Sequence, residues 1–112
     1  MGMVSEQNKF LADVARLITE SHRLGIVITG GELWRTEEQQ RIYVETGRSK
    51  TINSGHRNRL AIDLNFFIDG VLTYEKAAIQ PLGDYWESLD PRNTWGGNWK
   101  FRDVPHFERR LT

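Results

Sequence analysis

The chain has 112 residues, 38% hydrophobic and 27% charged, the size and balance of one globular domain, 1–112, with a modest core. Its formal net charge is zero and its pI near 6.8, so electrostatics give no reason to expect nucleic acid or an anionic membrane as partner. No apolar run approaches the ~20 residues that cross a bilayer, and the polar segment Met1–Lys9 lacks a signal-peptide core. The absence of cysteine excludes disulfides, thiolate nucleophiles and thiolate metal ligands.

Gln7 to Leu24 is predicted as an amphipathic helix, since Phe10, Leu11, Val14, Leu17, Ile18 and Leu24 fall at helical spacing and Gly25 supplies a stop. Ile26 to Thr29 is a short β-branched strand, after which Gly30 and Gly31 turn the chain. Thr36-Glu-Glu-Gln39 has capping-box form and opens a second helix that ends near Gly47. Arg48 to Arg59 is polar and without period, hence a loop. Leu60 to Ile68 reads as a strand, and Asp69-Gly70 followed by Val71-Leu-Thr73 signals a hairpin. Tyr74 to Leu89 reads as helical with an interruption around Pro81 and Gly83. Asp90 to Lys100 reads as a turn-rich loop carrying Trp95 and Trp99, and Pro105 to Arg109 as a short final strand. This succession gives an α+β domain with a small, mostly antiparallel sheet and flanking helices.

Chemistry-bearing residues concentrate in two segments, Ser54 to Asp63 and Asp103 to Glu108. His56, Asp63 and His106 form a ligand set common at catalytic zinc, where three protein ligands leave a fourth position for water. On one strand, His56 and Asp63 would point to opposite faces. They can share a metal only if His56 lies in the loop before the strand and folds back over Asp63. Asp63, between Ile62 and Leu64, points away from those apolar side chains and shares its face with Asn65. Asp103, just ahead of His106, can reach a metal-bound water as general base. Arg35 is a candidate for holding an oxyanion or a substrate carboxylate.

Each of these residues also has a plainer reading. A histidine in a chain of this size is more often a surface or hydrogen-bonded residue, and His22 reads as structural. Trp34, Trp86, Trp95 and Trp99 read as core or pocket wall. Glu108 is a candidate fourth polar residue of the site, but is more simply a solvent-facing strand charge, and the run Glu37 to Arg41 is most simply a solvated helix face.

Three segments together resemble a known family. Ser54-x-His56-x-x-x-x-Ala61-x-Asp63 is similar to the first zinc motif of the D-alanyl-D-alanine carboxypeptidase and L-alanyl-D-glutamate endopeptidase group, zinc peptidases that share a fold with the Hedgehog signalling domain. Trp95-Gly-Gly-Asn-Trp99 followed by Asp103-Val-Pro-His106-Phe-Glu resembles the second motif of the L-alanyl-D-glutamate branch, which includes phage endolysins and bacterial wall-remodelling enzymes. Arg35-Thr-x-Glu-x-Gln40 resembles an upstream arginine motif of the same group. The likeness runs from about Gly30 to Glu108. Two positions depart from it: Arg59 stands where the family commonly has glycine, and Asn98 where it more often has aspartate.

The resemblance implies a Hedgehog/DD-peptidase-like fold and a Zn2+ ion held by His56, Asp63 and His106. It implies Asp103 as catalytic acid/base, Arg35 in substrate binding or stabilisation of the tetrahedral intermediate, and Ser54 beside the site, bonding substrate or a ligand. The expected activity is zinc-dependent hydrolysis of the peptidoglycan stem peptide at the L-alanyl-D-glutamate bond, by a phage or prophage endolysin or a wall-remodelling enzyme. The alternatives are a D-alanyl-D-alanine carboxypeptidase and a catalytically silent, zinc-stabilised binding module. The enzyme is expected to be a monomer without nucleic-acid partners or membrane insertion, cytoplasmic until released to the wall.

Overall fold

A computed structural model describes residues 2–31, 41, 45 and 59–111. Among these, two complete helices lie with a five-stranded antiparallel sheet in an α+β arrangement. Arg41 and Glu45 are helical, in line with a helix between Thr36 and Gly47; the rest of that segment lies outside the described residues, as does 48–58 of the expected loop.

Helix α1, Gly2–Arg23, starts before the expected Gln7 and buries a narrower stripe than its apolar content suggested. Phe10, Val14, Leu17 and Ser21 face inward, while Leu11 and Ile18 stay exposed. Gly25 ends the helix in the left-handed region at φ 75°. Its amide donates to the His22 carbonyl at 3.1 Å and the Ile26 amide to the Ser21 carbonyl at 3.0 Å, a Schellman stop.

The sheet contains β1 (Val27–Gly30), β2 (Ala61–Ile68), β3 (Val71–Thr73), β4 (Asn93–Trp95) and β5 (His106–Arg109). Asp69 and Gly70 both take positive φ, 52° and 78°, which makes the tight β2–β3 hairpin that Asp-Gly signals. Strand β1 runs along one edge of β2. The other edge is shared, with β5 pairing at Ala61 to Asp63 and β3 at Phe66 to Ile68. Strand β4 then lies outside β5.

Helix α2, Lys76–Leu89, runs without the expected interruption although Pro81 lies inside it. Proline leaves the carbonyl four residues earlier, at Ala77, without its helical donor. Both Pro81 and Ala77 are exposed, so water can take that role. Gly83 is no breaker either. A Cβ there would run into the Trp95 ring, so this glycine is the slot that receives the tryptophan. The segment from Asp90 to Lys100, expected to be all loop, contains β4 and a 3-10 turn at Gly96–Asn98.

Alternation along the strands divides the sheet into two faces. Ile62, Leu64, Phe66, Ile68, Trp95 and Phe107 belong to the core, packed with Phe10, Leu17, Ile79, Leu82 and Trp86 of the helices. Trp86 sets its ring edge-on to Phe10 at 5.6 Å and to Phe107 at 6.0 Å. Its indole N–H lies 3.1 Å from the carbonyls of both Thr94 and Glu108, tying α2 to β4 and β5. At one end of this layer Arg109, 2% exposed at its side chain, bonds to Asp13 of α1 and to Asn93 of β4. Asn93 in turn donates to Asp13 at 3.1 Å. Asp63, His106 and Glu108 occupy the opposite face.

Candidate active site

The site is built where β5 runs beside the first half of β2. The antiparallel register sets Asp63 directly opposite His106 and Ala61 opposite Glu108. Directly opposed side chains on one face of a sheet are close neighbours. Here Asp63 Oδ1 lies 3.1 Å from His106 Nδ1. The other ring nitrogen, Nε2, lies 2.7 Å from Glu108 Oε1. His106 is buried, and the Trp99 ring leans against it with centroids 5.0 Å apart. Arg110 closes the outside, its guanidinium 5.9 Å from the Trp99 ring centre and its Nε 3.4 Å from Glu108 Oε2.

These contacts set the charge. Burial alone pushes the His106 imidazolium down, but hydrogen bonds to Asp63 and Glu108, together with their charges, lift its pKa from 6.5 to about 9. Burial pushes Glu108 up, yet His106 and then Arg110 hold its carboxyl below the usual carboxylate range. Without a metal, a protonated imidazole therefore bridges two carboxylates at neutral pH.

Asp103 lies in the turn that leads into β5, with the His106 amide donating to its carbonyl at 3.1 Å. The turn is pinned at three successive residues. The Asp103 amide donates to the Gly96 carbonyl at 2.9 Å, the Trp95 indole to the Val104 carbonyl at 2.7 Å, and the Leu64 amide to the Pro105 carbonyl at 2.9 Å. Gly96 lets the two turns come this near, because a Cβ there would strike the Asp103 carbonyl oxygen. On the other edge of β2, Gly31 donates to the Asp63 carbonyl at 2.8 Å, and a Cβ on it would stand 2.7 Å from that oxygen.

The structure thus brings together Asp63 and His106 and fixes the Asp103 backbone next to them along the chain. Arg35, Ser54 and His56 lie outside the described residues. No group of three or more His, Asp or Glu side chains able to hold a metal gathers among the described residues. Two donors nevertheless suit one. Ligands of a tetrahedral zinc, each ~2.0–2.2 Å from it, stand roughly 3.3 Å apart. The carboxylate oxygen of Asp63 and Nδ1 of His106, at 3.1 Å, have that separation and the right chemistry.

Glu108 corrects the sequence reading. It is no solvent-facing strand charge, since its side chain is only 17% exposed and bound to His106. The signal was present: residues two apart on a strand share a face, so a site at His106 included Glu108. Asn98 also has a local role. Its amide donates to Glu87 at 3.2 Å and accepts from Gln80 at 3.2 Å, which ties the turn to α2. An aspartate there would face the Glu87 carboxylate.

An α+β fold with a histidine–carboxylate pair on the face of its sheet opposite the core fits a hydrolase. Residues 47–109, more than half of the chain, match the model of the D-alanyl-D-alanine carboxypeptidase family, and the chain belongs to that family of peptidases. Its structure is similar to the crystal structure of Serratia marcescens L-Ala D-Glu endopeptidase ChiX, with a TM-score of 0.71 and 26% sequence identity over 89% of this chain and 80% of that one. No curated protein matches the chain significantly.

Proposed function

We propose that this peptidase is a zinc-dependent peptidoglycan hydrolase that cleaves the stem peptide at the L-alanyl-D-glutamate bond. The observation that carries the reading is the opposition of Asp63 and His106 across β2 and β5, with the Asp103 turn pinned directly before His106. His56, Asp63 and His106 would hold the ion. A zinc ion so bound supplies a Lewis acid and brings the pKa of its water to roughly 7. Asp103 takes the proton from the attacking water and returns one to the leaving amine. Arg35 stabilises the developing oxyanion, and Ser54 bonds the substrate or a ligand.

The bond assignment follows the likeness to the L-Ala D-Glu endopeptidase over most of both chains. The family description favours a second reading, removal of a terminal D-alanine, with the same residues and a pocket closed around a C-terminal carboxylate. Digestion of purified stem peptides, with products weighed by mass spectrometry, separates the two. Release of L-alanine-bearing fragments supports the endopeptidase, and release of free D-alanine supports the carboxypeptidase. Loss of either activity on chelation and its return with zinc tests the metal. The biological setting we propose, an endolysin or wall-remodelling enzyme acting as a monomer from the cytoplasmic side after release, rests on the motif resemblance. Sedimentation and a wall-lysis assay test it.

A further inference from the structure

We propose that Glu108 is a positioning residue that fixes the ring orientation and tautomer of His106, so that Nδ1 is the nitrogen presented beside Asp63. This rests on the reading of His106 as a metal ligand. Three observations support it.

First, Glu108 and Asp63 engage opposite edges of one imidazole, Oε1 at 2.7 Å from Nε2 and Oδ1 at 3.1 Å from Nδ1. With the ring between them, the two carboxylates cannot serve one ion together. Glu108 acts on the Nε2 edge of the ring while Asp63 stands beside the Nδ1 edge. A neutral imidazole that donates its Nε2–H to a carboxylate keeps its Nδ1 lone pair for a ligand position. Second, Glu108 is held from behind. Its backbone carbonyl accepts from the Trp86 indole at 3.1 Å, and the Arg110 Nε lies 3.4 Å from its second carboxylate oxygen. Third, the Trp99 ring lies against the imidazole, limiting its rotation about the bond that Glu108 locks.

The test uses the whole chain and zinc itself. Zinc affinity is measured by competition with a chromogenic chelator for the wild type, Glu108→Ala and Glu108→Gln, with circular dichroism and thermal melting as fold controls. Glu108→Ala should bind zinc roughly 10–100-fold more weakly, the scale for losing a hydrogen-bond partner of a metal-bound histidine. Glu108→Gln removes the charge but keeps an acceptor oxygen for Nε2–H, so it should retain most of the wild-type affinity. Wild-type affinity in Glu108→Ala overturns the proposal. An equal loss in both variants also overturns it, because Glu108 would then contribute only background charge. Zinc binding absent from the wild type itself would sink the functional reading, and this inference with it.

Discussion

Gly96 and Asp103 meet backbone to backbone: the Asp103 amide donates to the Gly96 carbonyl at 2.9 Å, and there is no room for a Cβ on the glycine. The atom a side chain would strike is a carbonyl oxygen, which cannot swing aside as a side-chain tip can. Gly96→Ala must therefore move the turn that carries Asp103. Overpacking of this kind costs about 1–3 kcal/mol. The variant should melt at lower temperature and hydrolyse peptidoglycan more slowly. Its zinc content should stay near normal, since the Asp63–His106 pairing lies on the strands beyond the turn. Melting curves, metal analysis and a turbidity assay check the three parts.

Asp103→Asn separates chemistry from folding. Asparagine keeps the size of the side chain and the backbone bonds of the turn but removes basicity. The expected outcome is a normal melting temperature, normal zinc content and a rate lower by roughly 10²-fold or more. A wild-type rate would assign proton transfer to another group.

Replacing His56, Asp63 or His106 by alanine should each remove most of the bound zinc and abolish hydrolysis. His106→Ala should also strand Glu108, which is held by that imidazole at 2.7 Å. It should therefore lower stability even in metal-free protein, and Asp63→Ala should do so less. Full zinc occupancy in all three variants would refute the ligand set.

The pH dependence has a definite sign. His106 has a folded pKa of about 9 against an ordinary 6.5. Its stabilising proton is thus fully in place below about pH 6.5 and is lost as pH rises through about 9. Glu108 has the opposite sign: its pKa is lowered, so its contribution is present at neutral pH and lost as pH falls through the folded value. Metal-free protein should accordingly melt at falling temperatures from about pH 7 to beyond about pH 9. Zinc and the proton compete for Nδ1, so binding at neutral pH should release about one proton from this residue. Calorimetry in buffers of different ionisation enthalpy measures that release.

Arg109 offers a test of the scaffold. Arg109→Ala leaves Asp13 and its neighbours without their buried cation, a loss on the order of 3–5 kcal/mol. The paired replacement Asp13→Leu with Arg109→Met should be much less damaging than the sum of its single changes, because the two side chains share one bond. Chemical denaturation of the single and double variants gives the coupling.

The sequence reveals elements wherever local chemistry decides them. Periodicity locates α1, and Asp69-Gly70 marks the hairpin because only a positive φ closes that turn. It misleads where a neighbour decides. Pro81 and Gly83 look like breaks until Trp95 is seen filling the glycine's slot. Asn93 to Trp95 is too short to show alternation and becomes a strand only because β5 lies beside it. Asp63 and His106 are each visible as candidates, but their opposition depends on strand register, which neither segment encodes alone. Glu108 differs: its partner His106 stands two residues away on the same strand, so the period of a strand already puts the two on one face. Arg35, Ser54 and His56 lie outside the described residues.

The bond between Asp13 and Arg109 joins positions 96 apart in sequence, and the strand carrying Arg109 also carries His106. Strand β5 lies between β2 and β4, pairing with β2 at Ala61 to Asp63 and with β4 at Asn93 to Trp95. A site that uses His106 therefore depends on β5 being paired in the sheet. The hairpin and α1 lie in the earlier two-thirds of the chain, but the opposition of Asp63 and His106 needs β5, which Arg109 clamps to α1.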